Sequence, residues 1–184
     1  DRIFTVKGFG TVITGSVISG MLHTGDEAFL LPGNKKLRIR RIERYGEEAE
    51  EVTAGDRAAI NLAGLDRQDF RRGMILSNRH LPHTTLIDAK LHLFNHTKSF
   101  HIWSKVIFYL GTYEQQAKVH LIDCDRLTRG NTALVQIHLN SPCVIQQGDR
   151  FVIRNTSNTT SLGGGEIIDA FPLHHRKRLE KLIK

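Results

Sequence analysis

The chain has 184 residues, 40% of them hydrophobic and 24% charged, with a formal net charge of +7 at pH 7. This composition is that of an ordinary globular protein with room for one large or two small domains, and no apolar run approaches the roughly 18 residues of a membrane span. The positive balance favours a polyanionic partner but carries no information about fold.

Arg2-Ile3-Phe4-Thr5-Val6 predicts a short strand, and it opens without an initiator Met or a signal-peptide layout. The chain is therefore expected to be a piece of a longer one. The stretch from Gly8 to Gly20 mixes glycines with the β-branched Val12, Ile13, Val17 and Ile18. Such a mixture suits half-buried strands that turn corners, with Gly8 and Gly10 at a kink. Met21 to Thr24 reads as a short connection, and Gly25-Asp26 as a tight turn before the strand Glu27 to Leu31. Lys36-Leu37-Arg38-Ile39-Arg40 alternates, with Leu37 and Ile39 inward and three basic side chains outward. Arg41-Ile42 breaks that alternation, which predicts a bulge. A turn and strand follow over Val52 to Leu62, then a loop or single helical turn over Leu65 to Gly73, and Met74-Ile75-Leu76 closes a first module at 1–81.

Leu81 to Thr85 reads as a linker into a second module at 82–172. Period-2 alternation strengthens here: Ala89-Leu91-Leu93, Ile102 to Leu110 and Ala133-Val135-Ile137-Leu139 each predict a strand with one apolar face. Turn signals fall at Gly111-Thr112, Asp123 to Gly130, Ser141-Pro142 and Gly148-Asp149. Phe151 to Arg154 is a late strand, and Gly163-Gly164-Gly165 precedes a last one, Glu166 to Ala170. The expected fold is all-β, two consecutive small antiparallel barrels. Residues 173–184 read as a short basic helical segment leading towards a further domain. Cys124 and Cys143 are too few for a disulfide framework and are expected as buried, reduced thiols. His92 and His96 invite a metal reading, but i and i+4 lie about 13 Å apart on a strand and no carboxylate set completes them, so no metal is expected. Trp103, alternating with polar neighbours, reads as interface or barrel wall rather than a base-stacking platform.

Gly10-Thr11-Val12-x-Thr14-Gly15-x-Val17-x-x-Gly20 with Gly25-Asp26 resembles the start of the second-domain barrel of translational GTPases. Asp1-Arg2-x-Phe4-x-Val6-Lys7-Gly8, Ala54-Gly55-x-Arg57-x-Ala59-x-Asn61, Arg72-Gly73, Gly148-Asp149-Arg150-Phe151-Val152-x-Arg154 and Ser161 to Gly165 extend the resemblance over nearly the whole chain. Together they resemble domains two and three of the selenocysteine-specific elongation factors, with Asp1-Arg2 and Arg57 separating that branch from the general factor. Other translational-GTPase-like barrel pairs (the general elongation factor, a GTP-dependent sulfate-activation subunit) and a generic RNA-binding barrel are the alternatives.

The resemblance implies a cytoplasmic protein whose partners are selenocysteinyl-tRNA, the ribosome and, through domains beyond this stretch, a selenocysteine-insertion mRNA hairpin, with no membrane. It also implies GTP and Mg in a domain upstream of Asp1. The chain itself lacks a G-x-x-x-x-G-K-[ST] loop, and Asn34-Lys35-Lys36-Leu37 lacks the Asp of a guanine-reading motif, so no cofactor and no catalytic residue are expected here. By the same resemblance Asp1, Arg2 and Arg57 form the aminoacyl pocket, with Asp56 towards the terminal adenosine. Arg2 and Arg57 would face the selenolate, and Asp1 would orient a guanidinium or accept from the α-amino group. A selenol is more acidic than a thiol, whose free pKa is about 8.5, so cationic side chains would favour its anion over the neutral hydroxyl of serine. Asp1 and Arg2 are adjacent, so a regular strand would send them to opposite faces. The alternative is a frayed Arg2 with Arg57 as a surface ion-pair partner of Asp1 or Asp56. Gly163, Gly164 and Gly165 resemble a turn approaching the tRNA T-stem, or serve only to close the barrel. Arg154, Lys36, Arg38 and Arg40 are further candidates for tRNA phosphates.

Overall fold

A computed structural model describes residues 1–6 and 10–174. The expected kink at Gly8 and residues 175–184 of the helical segment expected over 173–184 lie outside the described residues, and 173–174 are irregular. Everything regular that is described is β, apart from a single 3-10 turn at Arg67–Asp69, where sequence allowed a loop or one helical turn. The backbone divides into two units, Asp1–Leu81 and Pro82–Lys184.

The first unit contains β1 (Arg2–Val6), β2 (Gly10–Ser16), β3 (Met21–His23), β4 (Glu27–Leu31), β5 (Lys35–Arg44), β6 (Glu47–Ala49), β7 (Glu51–Thr53), β8 (Arg57–Ala63) and β9 (Ile75–Ser77). Its main sheet runs β1-β2-β8-β5-β4-β9, with β6 on β5, and β3 pairs separately with β7. Met21 to His23 is thus a strand and not the expected connection: Leu22 is buried and pairs with Val52, which gives the segment a core anchor. The strand β5 alternates as its sequence demands, with Leu37, Ile39 and Ile42 buried. Its register against β8 slips between Ile39 and Arg41, so Arg40 is the extra residue of the bulge expected one position later. Ile13, Leu22, Leu37, Ile39, Ile42, Val52, Ile60 and Leu62 form the core of this unit. Each such side chain contributes roughly 1.5–3 kcal/mol when fully buried.

The second unit contains β10 (Thr84–Leu93), β11 (Phe100–His101), β12 (Ser104–Leu110), β13 (Tyr113–Leu121), β14 (Arg126–Leu127), β15 (Thr132–Cys143), β16 (Arg150–Arg154) and β17 (Ser161–Asp169). Six of them close a barrel in the order β10-β15-β13-β12-β16-β17. Leu91, Val106, Phe108, Val119, Val135, Ile137, Ile153 and Ile167 fill it, the same alternate positions that period 2 selects.

Three sequence expectations give way here. The strand read over 101–110 is broken at Ile102-Trp103, because Trp103 adopts a φ of 64° that no strand accommodates. Ser141 and Pro142 lie within β15 rather than in a turn, where β15 is in its last residues and Pro is tolerated. Gly163, Gly164 and Gly165 do not precede the last strand but run inside β17, between β10 and β16. An added Cβ would stand 2.3 Å from the His92 carbonyl at Gly163, 2.7 Å from the Phe151 carbonyl at Gly164 and 1.8 Å from the Lys90 carbonyl at Gly165. Only a chain without Cβ atoms can thread so narrow a gap.

Candidate functional site

The geometry of the first unit is set by three strands. Ile3, Ile13 and Ile60 occupy one row of the β1-β2-β8 ladder and turn to the core. Period 2 then sends Arg2, Thr14, Ala59 and Arg57 to the opposite face, since Arg2 pairs with Thr14, Thr14 with Ala59 and Ser16 with Arg57. Arg2 and Arg57 therefore share one face of the sheet.

Asp1 precedes β1, so the strand's alternation does not govern it. Its carboxylate accepts from Arg57 Nη2 at 3.1 Å through Oδ2, and Arg72 Nε approaches Oδ1 at 4.0 Å. The Asp1 side chain is 24% exposed and that of Arg57 is 54% exposed. One carboxylate thus holds two guanidiniums at the edge of the face that Arg2 occupies, leaving Arg57 open to solvent. Arg72 lies between the 3-10 turn and β9, a segment whose meeting with position 1 no local pattern in the sequence reveals.

On the same face, further along the strands, lies a groove of about 170 Å³ lined by Phe4, Val6, Val12, Arg41, Glu43, Ala59 and Asn61. Its floor is apolar and one end is charged, with Arg41 paired to Glu48 at 3.0 Å and 3.7 Å from Glu43. Between the groove and the cluster, Thr14 Oγ1 is buried and has no hydrogen-bond partner among the described residues. A buried hydroxyl without a partner costs about 1–3 kcal/mol.

Asp56 is committed elsewhere. Its Oδ2 accepts from the Thr53 N–H at 2.9 Å and from Thr53 Oγ1 at 3.3 Å, and Arg44 lies 3.7 Å away. The Thr53 N–H first, and then Arg44, hold this carboxyl below the usual range. It closes the turn that starts β8 and so sets where Arg57 begins. Lys36 pairs with Glu27 at 2.8 Å, while Arg38 and Arg40 are exposed on β5. Arg154 sits on β16 opposite Ile107, and its Nε is buried without a hydrogen-bond partner among the described residues. His92 Nδ1 meets Thr132 Oγ1 and His96 Nε2 meets the Ser161 carbonyl. No group of three or more metal-ligating side chains suited to an ion occurs among the described residues, nor does any helix long and apolar enough to cross a membrane.

A sheet cornered by glycines is followed by a closed six-stranded barrel, and both units match barrel domains of translation elongation factors. Residues 10–77 match elongation factor Tu domain 2. Residues 87–174 match the β-barrel domain of selenocysteine-specific elongation factor, and the whole chain is similar to curated factors of that name. It is 33% identical to the selenocysteine-specific elongation factor of Desulfomicrobium baculatum, over 99% of this chain and 30% of that protein. The corresponding figures are 32%, 98% and 29% for the factor of Haemophilus influenzae, and 28%, 100% and 28% for that of Escherichia coli. The chain spans less than a third of the length of these curated relatives.

Proposed function

We propose that the outer face of β1-β2-β8 receives the aminoacyl end of selenocysteinyl-tRNA, and that Arg57 and Arg2 select the ionised selenol. The observation that carries this reading is the Arg57–Asp1–Arg72 cluster on the face that also presents Arg2 and the Phe4 groove. Asp1 orients the Arg57 guanidinium. A selenolate then gains a charge-assisted hydrogen bond that the hydroxyl of serine accepts only weakly. One such bond contributes roughly 1.5–3 kcal/mol, or about 10- to 150-fold, with solvent screening favouring the lower end for a half-exposed side chain. The groove takes the terminal nucleoside against Phe4. Exposed Arg38 and Arg40 and the Arg154 guanidinium approach the tRNA backbone, whereas the local partners of Asp56 and Lys36 make them structural.

The same reading gives a cytoplasmic factor that delivers its tRNA to the ribosome. GTP and Mg are held by a domain outside this stretch, and the mRNA hairpin is read by domains further along. The test compares the affinities of selenocysteinyl- and seryl-tRNA for the full-length factor with GTP, wild type against Arg57→Ala. The ratio is expected to fall about 10-fold or more, with seryl-tRNA affinity little changed. An unaltered ratio refutes the assignment of Arg57.

A further inference from the structure

The second unit presents an aromatic feature that the aminoacyl site does not use. Trp103, in the turn between β11 and β12, lays its indole on the His120 ring with centroids 4.5 Å apart and planes at 11°. His138 meets the same indole at 5.1 Å and 53°, and His174 packs edge-on against His138 at 5.3 Å. His120 is buried beneath this lid, yet Trp103 remains 46% exposed. Trp103 is therefore neither barrel wall nor core, but a flat π-surface held out on a bed of imidazoles.

Its surroundings are cationic. Lys105 pairs with Lys118 and Lys118 with His138 across β12, β13 and β15, so three basic side chains form a row beside the indole. Both lysines are exposed, and among the described residues neither joins an ion pair. Asp88 partly offsets this charge at His138, but its Oδ1 accepts from Gln136 Nε2 at 2.8 Å. An apolar protein-docking patch would not be bordered by unpaired lysines. A half-exposed indole next to two lysines is the arrangement that binds unpaired nucleotides, the ring stacking on a base and the ammonium groups meeting phosphates.

We propose that Trp103 is a stacking site for an unpaired base of an RNA strand, whose adjoining phosphates are met by Lys105 and Lys118. The site lies on the second unit and does not depend on the aminoacyl reading.

The chain contains one tryptophan, so its intrinsic emission reports on this site alone. Titration of the 184-residue chain with a mixed-sequence single-stranded RNA 12-mer is expected to quench that emission saturably, and the blunt RNA duplex of the same sequence to leave it largely unchanged. With fluorescein-labelled 12-mer, anisotropy should show Trp103→Ala weakening binding about 5- to 150-fold. Trp103→Phe should recover most of the loss, and Trp103→Leu, which keeps bulk without a π-face, should not. Thermal melting identifies any variant that has lost its fold. Lys105→Ala with Lys118→Ala leaves the indole in place and should reduce the logarithmic salt slope by about 1.4, or about 0.7 per phosphate. RNA binding that leaves the emission unmoved, equal affinity for Trp103→Leu, or emission that follows protein concentration rather than RNA would each overturn the proposal. Arg57→Ala should not alter any of these readings, which separates failure here from failure of the aminoacyl assignment.

Discussion

Asp1 shows how far a charged side chain depends on where its strand begins. Were β1 one residue longer at its start, alternation would turn the Asp1 carboxylate away from the face of Arg2; because Asp1 precedes the ladder, it reaches both Arg57 and Arg72. His138 is the residue whose protonation the fold most clearly resists. Burial first, then His174, His120 and Lys118, hold its imidazole below the ordinary value near 6.5. The folded state therefore binds this proton less readily than the unfolded chain, so the contribution of His138 to stability is present above about pH 6.5 and is lost as pH falls below it. Urea midpoints measured between pH 7.5 and 5 are expected to fall on the acid side, and to fall less steeply in His138→Phe, which keeps an aromatic ring against Trp103 but cannot be protonated.

At the scale of elements, β17 is the strand with least freedom of sequence. Three consecutive glycines lie between the backbones of β10 and β16, and the Cβ of an alanine at position 165 would fall 1.8 Å from the Lys90 carbonyl oxygen and 3.0 Å from Phe151 Cζ. Overpacking typically costs about 1–3 kcal/mol, and an atom set against backbone has fewer ways to relax than one set against a side chain. Gly165→Ala is expected to lower stability by at least that amount in chemical denaturation, with loss of amide protection along β10 and β17. The glycine run thus has a complete explanation in barrel closure, whether or not it also approaches RNA. The turn at Arg67–Asp69 is fixed differently: Asp69 Oδ2 accepts from Lys35 Nζ on β5 and from the Asp66 N–H, so a polar turn between Leu65, in the core, and Phe70, packed against it, is also tied to the sheet by charge.

For the molecule as a whole, Cys143 offers a direct report on the second unit. Burial, with a smaller effect of Asp149, pushes its thiol up to about 12, so thiolate at pH 8 is on the order of one part in ten thousand. Cys124 is only partly buried. An aromatic disulfide reagent is expected to titrate Cys124 in the native chain and Cys143 only as the unit opens, at a rate that rises with denaturant. Equal native reactivity of the two would show that the Cys143 pocket is open.

Period-2 alternation, β-branched residues and turn chemistry determined by themselves that this chain is all-β, which positions face the cores and, to within one residue, where β5 bulges, because those signals act between near neighbours in sequence. The glycine corners and the Asp1-Arg2 and Arg57 positions likewise pointed to a selenocysteine-specific elongation factor. What only the tertiary structure decided depends on contacts between distant strands. The loop before β9 brought Arg72 to Asp1, the narrow gap between β10 and β16 drew Gly163 to Gly165 into the wall, and the Ile102-Trp103 turn set an indole on His120. No local pattern encodes those meetings, since each depends on how strands tens of residues apart align when the barrel closes.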